Sequence, residues 1–168
     1  MKKLNKNNKG FSLVELLVVI AIMVVLVGVI APTVLGNIEK SREAKDIQSL
    51  DSVAAAIQYA LADEAAFEEV DNKIHDVDDV FGSSATGDLA TVAKDYLKTL
   101  PSMSGKAAKD STCTMYYVYT KGGQVCVFVT DQSVDKTVDI ENASAITTFL
   151  SKSSTTLKTK AEEYKVVR

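Results

Sequence analysis

A long uncharged apolar run near the start of the chain dominates the pattern of hydrophobic and polar positions. After an acid at Glu15, residues 16–38 contain no charged side chain and consist mainly of Val, Ile, Leu and Ala. At about 1.5 Å per residue, a helix over this run would be roughly 34 Å long, enough to cross the roughly 30 Å hydrocarbon core of a bilayer. The pattern therefore predicts a helix that can span a membrane.

The chain becomes polar after this run but keeps a helical period. Between 37 and 66, apolar positions recur every three or four residues and form one stripe. The stripe consists of Ile47, Leu50, Val53, Ala54, Ile57 and Leu61. The simplest interpretation is one long helix, apolar on all sides in its first half and amphipathic in its second half, where the stripe packs against a sheet.

The clearest strand pattern lies between 112 and 130, where two runs rich in β-branched and aromatic residues flank Gly122 and Gly123. The two glycines can supply the positive φ angles of a two-residue turn, so we expect an antiparallel hairpin. In that register Thr120 faces Val125, Tyr119 faces Cys126 and Tyr117 faces Phe128. One face would then carry Cys113, Met115, Tyr117, Tyr119, Cys126 and Phe128.

This register also separates the two cysteines. Cys113 lies six positions from Tyr119, the residue expected opposite Cys126. At about 3.4 Å per residue the two cysteines would be roughly 20 Å apart along the strands, whereas a disulfide needs Cα atoms within about 7 Å. The sequence therefore predicts two thiols.

Weaker patterns complete the predicted fold. Residues 88–100 have the spacing of a short helix, and 136–140 alternate like a third strand. Residues 143–167 show helical spacing, although 151–156 are poor helix formers. Together the patterns predict an α+β fold, in which a long N-terminal helix packs on a small antiparallel sheet and a C-terminal helix closes the chain.

Length and charge narrow the possible partners. The chain has 168 residues, 46% of them hydrophobic and 24% charged, which leaves one small globular head beyond the apolar run. The formal charge is −3, and it becomes −7 without the lysines at positions 2, 3, 6 and 9. Such an acidic chain is a poor match for nucleic acid phosphates. The early lysines should stay cytoplasmic, which places the head outside.

Residue types that carry catalysis or bind metals do not form a recognisable pattern. His75 is the only histidine, and no Ser or Cys nucleophile has a partner motif beside it. The acids between 63 and 79 lack the regular spacing and the glycine of a calcium loop. We therefore expect no enzyme activity, no cofactor and no metal site.

Glu15 is the exception in the apolar pattern. An acid in a membrane helix costs about 2.5–3.5 kcal/mol at the centre and less near an interface, so Glu15 needs a partner. A cut after Gly10 would create an amine at Phe11, four positions away. The sequence GFSLVE after a short Lys-rich leader resembles the processing motif of type IV prepilins, which the pseudopilins of type II secretion share. Pro32, part-way along the apolar helix, also matches.

The resemblance implies a filament subunit with the pilin fold. A prepilin peptidase would cut between Gly10 and Phe11 and methylate the Phe11 amine, and Glu15 would then pair with the Phe11 amine of a neighbouring subunit. Pro32 would kink the helix and weaken it between 28 and 36. The implied partners are identical subunits, the peptidase/methyltransferase, an assembly platform with its ATPase, and the membrane before assembly. We expect no specific nucleic acid partner.

The implied organisation is a cleaved leader at 1–10, a transmembrane and filament-core helix at 11–38, and a head at 39–168. The expected function is that of a structural subunit of a type IV pilus, used for adhesion, surface motility or biofilm formation. The subunit would be a single-pass protein of the cytoplasmic membrane before assembly and part of an extracellular filament afterwards. Many Gram-negative pilins close a C-terminal loop with a disulfide, so two thiols favour a Gram-positive source, and Glu15 favours a major subunit.

Two alternatives stay open. The first is a pseudopilin of a type II secretion system, although major pseudopilins commonly carry a calcium loop near the C-terminus that this sequence does not display. The second is a membrane-anchored extracellular binding module.

Overall fold

The computed structural model describes residues 11–106, 108, 113–150 and 164–168. The chain divides into two compact units, Met1–Ile38 and Glu39–Arg168. One helix, α1 (Leu13–Ala60), contributes to both units, which confirms the predicted long N-terminal helix. It ends six residues earlier than the pattern suggested, because Asp63 starts a new helix, α2 (Glu64–Glu68), by accepting hydrogen bonds from the backbone N–H groups of Ala65 and Ala66.

In the second unit α1 buries the middle of the predicted stripe, whereas Ile47 and Leu61 at its two ends are half-buried and Leu61 lies just beyond the helix. Leu50, Val53 and Ile57 have no solvent-exposed surface. They share one apolar cluster with residues of α2, of α3 (Asp78–Phe81) and of α4 (Asp88–Tyr96). The short helix expected at 88–100 is thus present, with its end at Tyr96. Burial of these side chains is the main source of stability that holds this part of α1 in the head.

In the described part of the chain the sheet has four strands, which lie in chain order and are all antiparallel to their neighbours. They are β1 (His75–Asp76), β2 (Thr114–Tyr119), β3 (Val125–Thr130) and β4 (Lys165–Val167). One face joins the cluster that contains α1. The other face packs against Ile74, Ile140, Ile146 and Leu150. Because both faces are covered, every residue of β3 is buried. The α+β fold predicted from the sequence is confirmed.

The hairpin between β2 and β3 is present, but the predicted register is wrong by one residue. Tyr119 faces Val125 and Tyr117 faces Val127. The loop has three residues instead of two, because the N–H of Thr120 donates to the carbonyl of Gln124 at 2.9 Å. Of the two glycines in this loop, Gly123 alone has a positive φ, of 80°, as expected for a turn that ends in a bulge.

The change of register exchanges the faces of β3. Val125, Val127 and Val129 lie on the α1 side with Tyr117 and Tyr119, whereas Cys126 and Phe128 lie on the opposite side with Tyr116 and Val118. A shift of one residue always has this effect, because side chains alternate between the faces of a strand.

Cys113 and Cys126 are both in the thiol form. They belong to different faces of the sheet, since Cys113 packs against the cluster of α1 and Cys126 lies in the opposite cluster. Residues on opposite faces point their Cβ atoms apart, which is incompatible with disulfide geometry. The two predicted thiols are therefore present, although the register from which they were predicted was wrong.

The predicted third strand at 136–140 is wrong, because its polar groups make local and side-chain contacts instead of a ladder. The carboxylate of Asp135 accepts from the N–H and hydroxyl of Thr137, and Lys136 pairs with Asp76 of β1. The N–H of Ile140 donates to the carbonyl of Asn72 at 2.7 Å. The outer strands are β1 and β4.

The predicted closing helix over 143–167 is wrong at its end. A 3₁₀ turn (Ala143–Ile146) and α5 (Thr147–Leu150) are helical, 151–163 lie outside the described residues, and β4 occupies the last part. Arg168 exchanges two backbone hydrogen bonds with Val125, at 2.7 and 2.8 Å. Its guanidinium also binds the Asp51 carboxylate of α1 at 2.7 and 2.9 Å, which holds the pKa of Asp51 below its usual value. The end of the chain is thus fixed to both the sheet and α1.

Candidate functional site

The candidate processing site lies where the described chain begins. Gly10 falls outside the described residues, so the structure describes the Phe11 side of the bond. Phe11 is 85% exposed and lies outside the helix, which begins at Leu13. Ser12 accepts the first helical hydrogen bond, from the N–H of Leu16 to its carbonyl at 3.2 Å. Ser12 therefore occupies the N-cap position of α1.

Glu15 has a partner within its own chain. Its carboxylate accepts a hydrogen bond from the backbone N–H of Ser12, with 2.9 Å between Ser12 N and Glu15 Oε2. This is half of a capping box, in which the acid three positions after the N-cap residue reaches back to the N-cap N–H. The negative charge also lies at the positive end of the helix macrodipole. The geometry therefore stabilises the first turn of α1.

The capping contact was missed in the sequence, although the signal was present. Ser12 and Glu15 form the S-x-x-E pattern that precedes an apolar helix. The apolar surroundings of Glu15 predict a cationic partner. The structure adds a neutral partner, the Ser12 N–H, which is available without cleavage of the chain.

The first unit exposes a continuous apolar surface. None of the described residues between 11 and 38 is buried, and large side chains such as Leu16, Val24 and Val29 are 60 to 73% exposed. Among the described residues, α1 is the helix that is long and apolar enough to span a membrane. An apolar surface of this size on a soluble protein normally marks an interface with protein or lipid.

Pro32 lies inside α1, and the helix continues through it. Because Pro has no N–H, the carbonyl of Gly28 lacks its usual helical donor. An added Cβ at Gly28 or Gly36 would meet no heavy atom within 4 Å, so neither glycine is required by tertiary packing. The predicted kink and the weakening of 28–36 stay predictions.

His75 and Cys126, whose side chains could in principle carry chemistry, make packing contacts within the head. His75 lies 2.7 Å from the carboxylate of Asp71 and stacks on the ring of Tyr117 at 5.4 Å. Burial raises the pKa of the Cys126 thiol to about 11, which makes it a poor nucleophile at neutral pH. Within 11–106, 108, 113–150 and 164–168, no three His, Cys, Asp or Glu side chains are grouped to hold a metal ion.

A comparison with protein families finds one match. Residues 5–31 match the model of the prokaryotic N-terminal methylation motif. The match includes Gly10, Phe11 and Glu15 and ends just before Pro32. This motif is characteristic of type IV pilin-like proteins and fits pilins and pseudopilins, which are structural proteins and not enzymes. Comparisons with curated proteins and with solved structures give no match.

Proposed function

We propose that the chain is a structural subunit of a type IV pilus. A prepilin peptidase cuts it after Gly10 and methylates the new Phe11 amine, and the mature subunits then polymerise through the first part of α1. One observation carries the proposal: the unburied part of α1 before Glu39 has a single charged side chain, Glu15, four positions after the residue that cleavage would leave at the N-terminus. The methylation motif over 5–31 supports the same reading.

The apolar surface of the first unit explains how one helix serves both stages. In the membrane, residues 16–38 are surrounded by lipid. In a filament, the same side chains pack against helices of neighbouring subunits, so they stay out of water in both states. Each large apolar side chain that remains buried contributes about 1.5–3 kcal/mol relative to exposure. The free-energy cost of extracting the helix from the bilayer is therefore offset by its packing in the polymer.

Glu15 sets the register of the polymer in this proposal. In the membrane its carboxylate caps its own helix through Ser12. In the filament it pairs with the cationic Phe11 amine of a neighbour, where the low dielectric makes an unpaired charge costly. Subunits that enter out of register leave Glu15 without this partner, so charge pairing selects one axial position.

The proposed boundaries are a leader at 1–10, a membrane and filament helix at 11–38, and a head at 39–168 outside the cell. The proposed partners are further copies of the chain, the peptidase/methyltransferase, and an assembly platform with its ATPase. Adhesion, motility or biofilm formation would follow from the exposed heads. Glu15 supports a major subunit, and the thiols of Cys113 and Cys126 support a Gram-positive source.

A pseudopilin of a type II secretion system is the alternative, because the methylation motif fits that group equally well. The two functions differ in what the cell loses without the protein. A pilus subunit is required for long surface fibres that can be sheared from cells, whereas a pseudopilin is required for export of secreted enzymes. Deletion of the gene followed by both assays distinguishes them.

The processing step is tested with Gly10→Val. The added β-branched side chain next to the scissile bond should block cleavage, so the variant stays in the membrane at full length. Gly36→Val is the matched control, because an added Cβ there meets no heavy atom within 4 Å, and it should be cleaved normally. Immunoblots of membrane and sheared fractions report chain length and location. Normal cleavage and normal fibres from Gly10→Val would refute the proposal.

A further inference from the structure

Two carboxylates of α1 hold a loop of the head by its backbone. Asp46 accepts from the N–H of Ser104 at 2.8 Å, from its hydroxyl at 3.2 Å and from the N–H of Gly105 at 2.7 Å. Glu39 accepts from the N–H of Lys106. We call these two acids and the three consecutive N–H groups the amide latch. The two acids are seven positions apart, so they lie on the same side of α1, two turns from each other.

The amide latch is tightly packed. Asp46 is completely buried, which is rare for an acid and is tolerated where several donors satisfy its oxygens. A Cβ added to Gly105 would lie 2.7 Å from Asp46 Oδ2 and 2.9 Å from the hydroxyl oxygen of Tyr164. Glycine is therefore required at 105 by the close approach of the loop to the carboxylate.

The latch lies where α1 changes from a helix without tertiary support to one held by the head. Asp46 is the first buried residue along α1, and none of the described residues before Ile38 is buried. The part before Glu39 also contains Pro32 between Gly28 and Gly36. A helical segment with few buried contacts and a missing hydrogen bond opens at a lower free energy than one that is held by tertiary contacts.

We propose that the amide latch is a conformational stop on α1. The helix can bend or open around Pro32, and the latch prevents that opening from spreading past Glu39 into the part of α1 on which the head is built. Beyond a broken site a helix loses about one hydrogen bond per residue, so an anchor two turns beyond Pro32 is well placed to end the process. The stop acts within a single subunit and does not depend on polymerisation.

Amide hydrogen exchange of the full chain in detergent micelles tests this proposal. In the wild type, amides of 40–50 should exchange slowly. Asp46→Asn places an amide NH₂ group among the backbone donors of the latch. Exchange of the amides of 40–50 should then be at least about tenfold faster, a change that corresponds to about 1.4 kcal/mol. Strand β3 should remain protected. Asp135→Asn is the control, because the hydrogen bonds of that exposed acid among the described residues go to nearby Thr137, and it should leave exchange at 40–50 unchanged.

A second substitution distinguishes a stop from a simple local contact. Pro32→Ala restores the helical N–H and should suppress opening at its source, so Asp46→Asn combined with Pro32→Ala should recover slow exchange at 40–50. If Asp46→Asn has no effect, or if Pro32→Ala gives no recovery, the proposal is wrong. If Asp46→Asn also speeds exchange in β3, the milder Glu39→Gln is used in its place. Pro32→Ala should again restore slow exchange at 40–50, and failure to do so would again contradict the proposal. Absence of filaments would leave this result unaffected.

Discussion

Substitution of Glu15 tests the site most sharply, because this acid has one role in the structure and a second, separable role in the proposed filament. In the subunit its carboxylate caps α1 through the N–H of Ser12 at 2.9 Å. In the proposed filament it pairs with the Phe11 amine of a neighbour. Glu15→Ala removes both interactions, whereas Glu15→Gln keeps an amide oxygen that can still accept from Ser12 but removes the charge.

The two interactions of Glu15 differ in the free energy that each contributes. Loss of a helix cap costs about 0.5–2 kcal/mol, and the exposed position of Glu15 in the subunit places it at the lower end of this range. Loss of one partner of a buried ion pair costs about 3–5 kcal/mol. At 1.4 kcal/mol per factor of ten, the second effect raises the critical subunit concentration for assembly by about a hundredfold or more. The ion pair should therefore dominate, and both variants should fail to assemble.

The assay is the amount of subunit in the sheared fraction relative to the membrane fraction, with processing measured on the same blots. Both variants should be present in the membrane and nearly absent from the sheared fraction. Glu64→Gln is the matched control, since Glu64 is also an exposed acid in the first turn of a helix, and it should assemble normally. Wild-type fibre yield from Glu15→Gln, with loss only in Glu15→Ala, would show that capping and not charge pairing explains the acid.

Three further predictions concern the head, each measured on the full chain in micelles. Asp46→Ala leaves the backbone N–H groups of buried Gly105 and half-buried Ser104 without acceptors, at about 1–3 kcal/mol each. The free energy of unfolding should therefore fall by about 2–5 kcal/mol, and a loss below about 1 kcal/mol would contradict the contacts. Gly123→Ala forces a side chain to φ of 80° and should lower the free energy of unfolding by about 1–2 kcal/mol. Gly122→Ala should have a smaller effect, because an added Cβ there makes ordinary contacts at 3.5 Å and beyond. Equal losses would refute the loop geometry. In native protein, iodoacetamide should modify half-buried Cys113 well before Cys126, whose pKa is raised to about 11 by burial. Equal rates measured by mass spectrometry would contradict this difference in burial.

The long helix could be predicted from the sequence because its two signals are local. An uncharged run fixes the first half of α1, and the spacing of Leu50, Val53 and Ile57 fixes the buried side of its second half. The cap formed by Ser12 and Glu15 is equally local, and the four-residue pattern S-x-x-E predicts it, although the contact was missed in the sequence. Features of this kind depend on neighbours three or four positions apart, so they are visible without knowledge of the fold.

The errors concern contacts that depend on distant parts of the chain. Two adjacent glycines suit both a two-residue and a three-residue loop, and only the pairing of β2 with β3 shows that Gly123 alone takes positive φ. Strand β4 has the spacing of a helix, but its edge position on β3 decides its conformation. The sequence pattern predicts a solvent-exposed acid at Asp46, because the N–H groups that bind its carboxylate lie 58 and 59 positions later in the chain.

The mass and N-terminal sequence of the subunit in sheared fibres test the central claim most directly, which is that cleavage creates the cation that Glu15 requires. We predict fibres composed of a chain that begins at N-methylated Phe11 and has lost residues 1–10. Fibres whose subunits begin at another residue, or that retain the leader, would contradict the account.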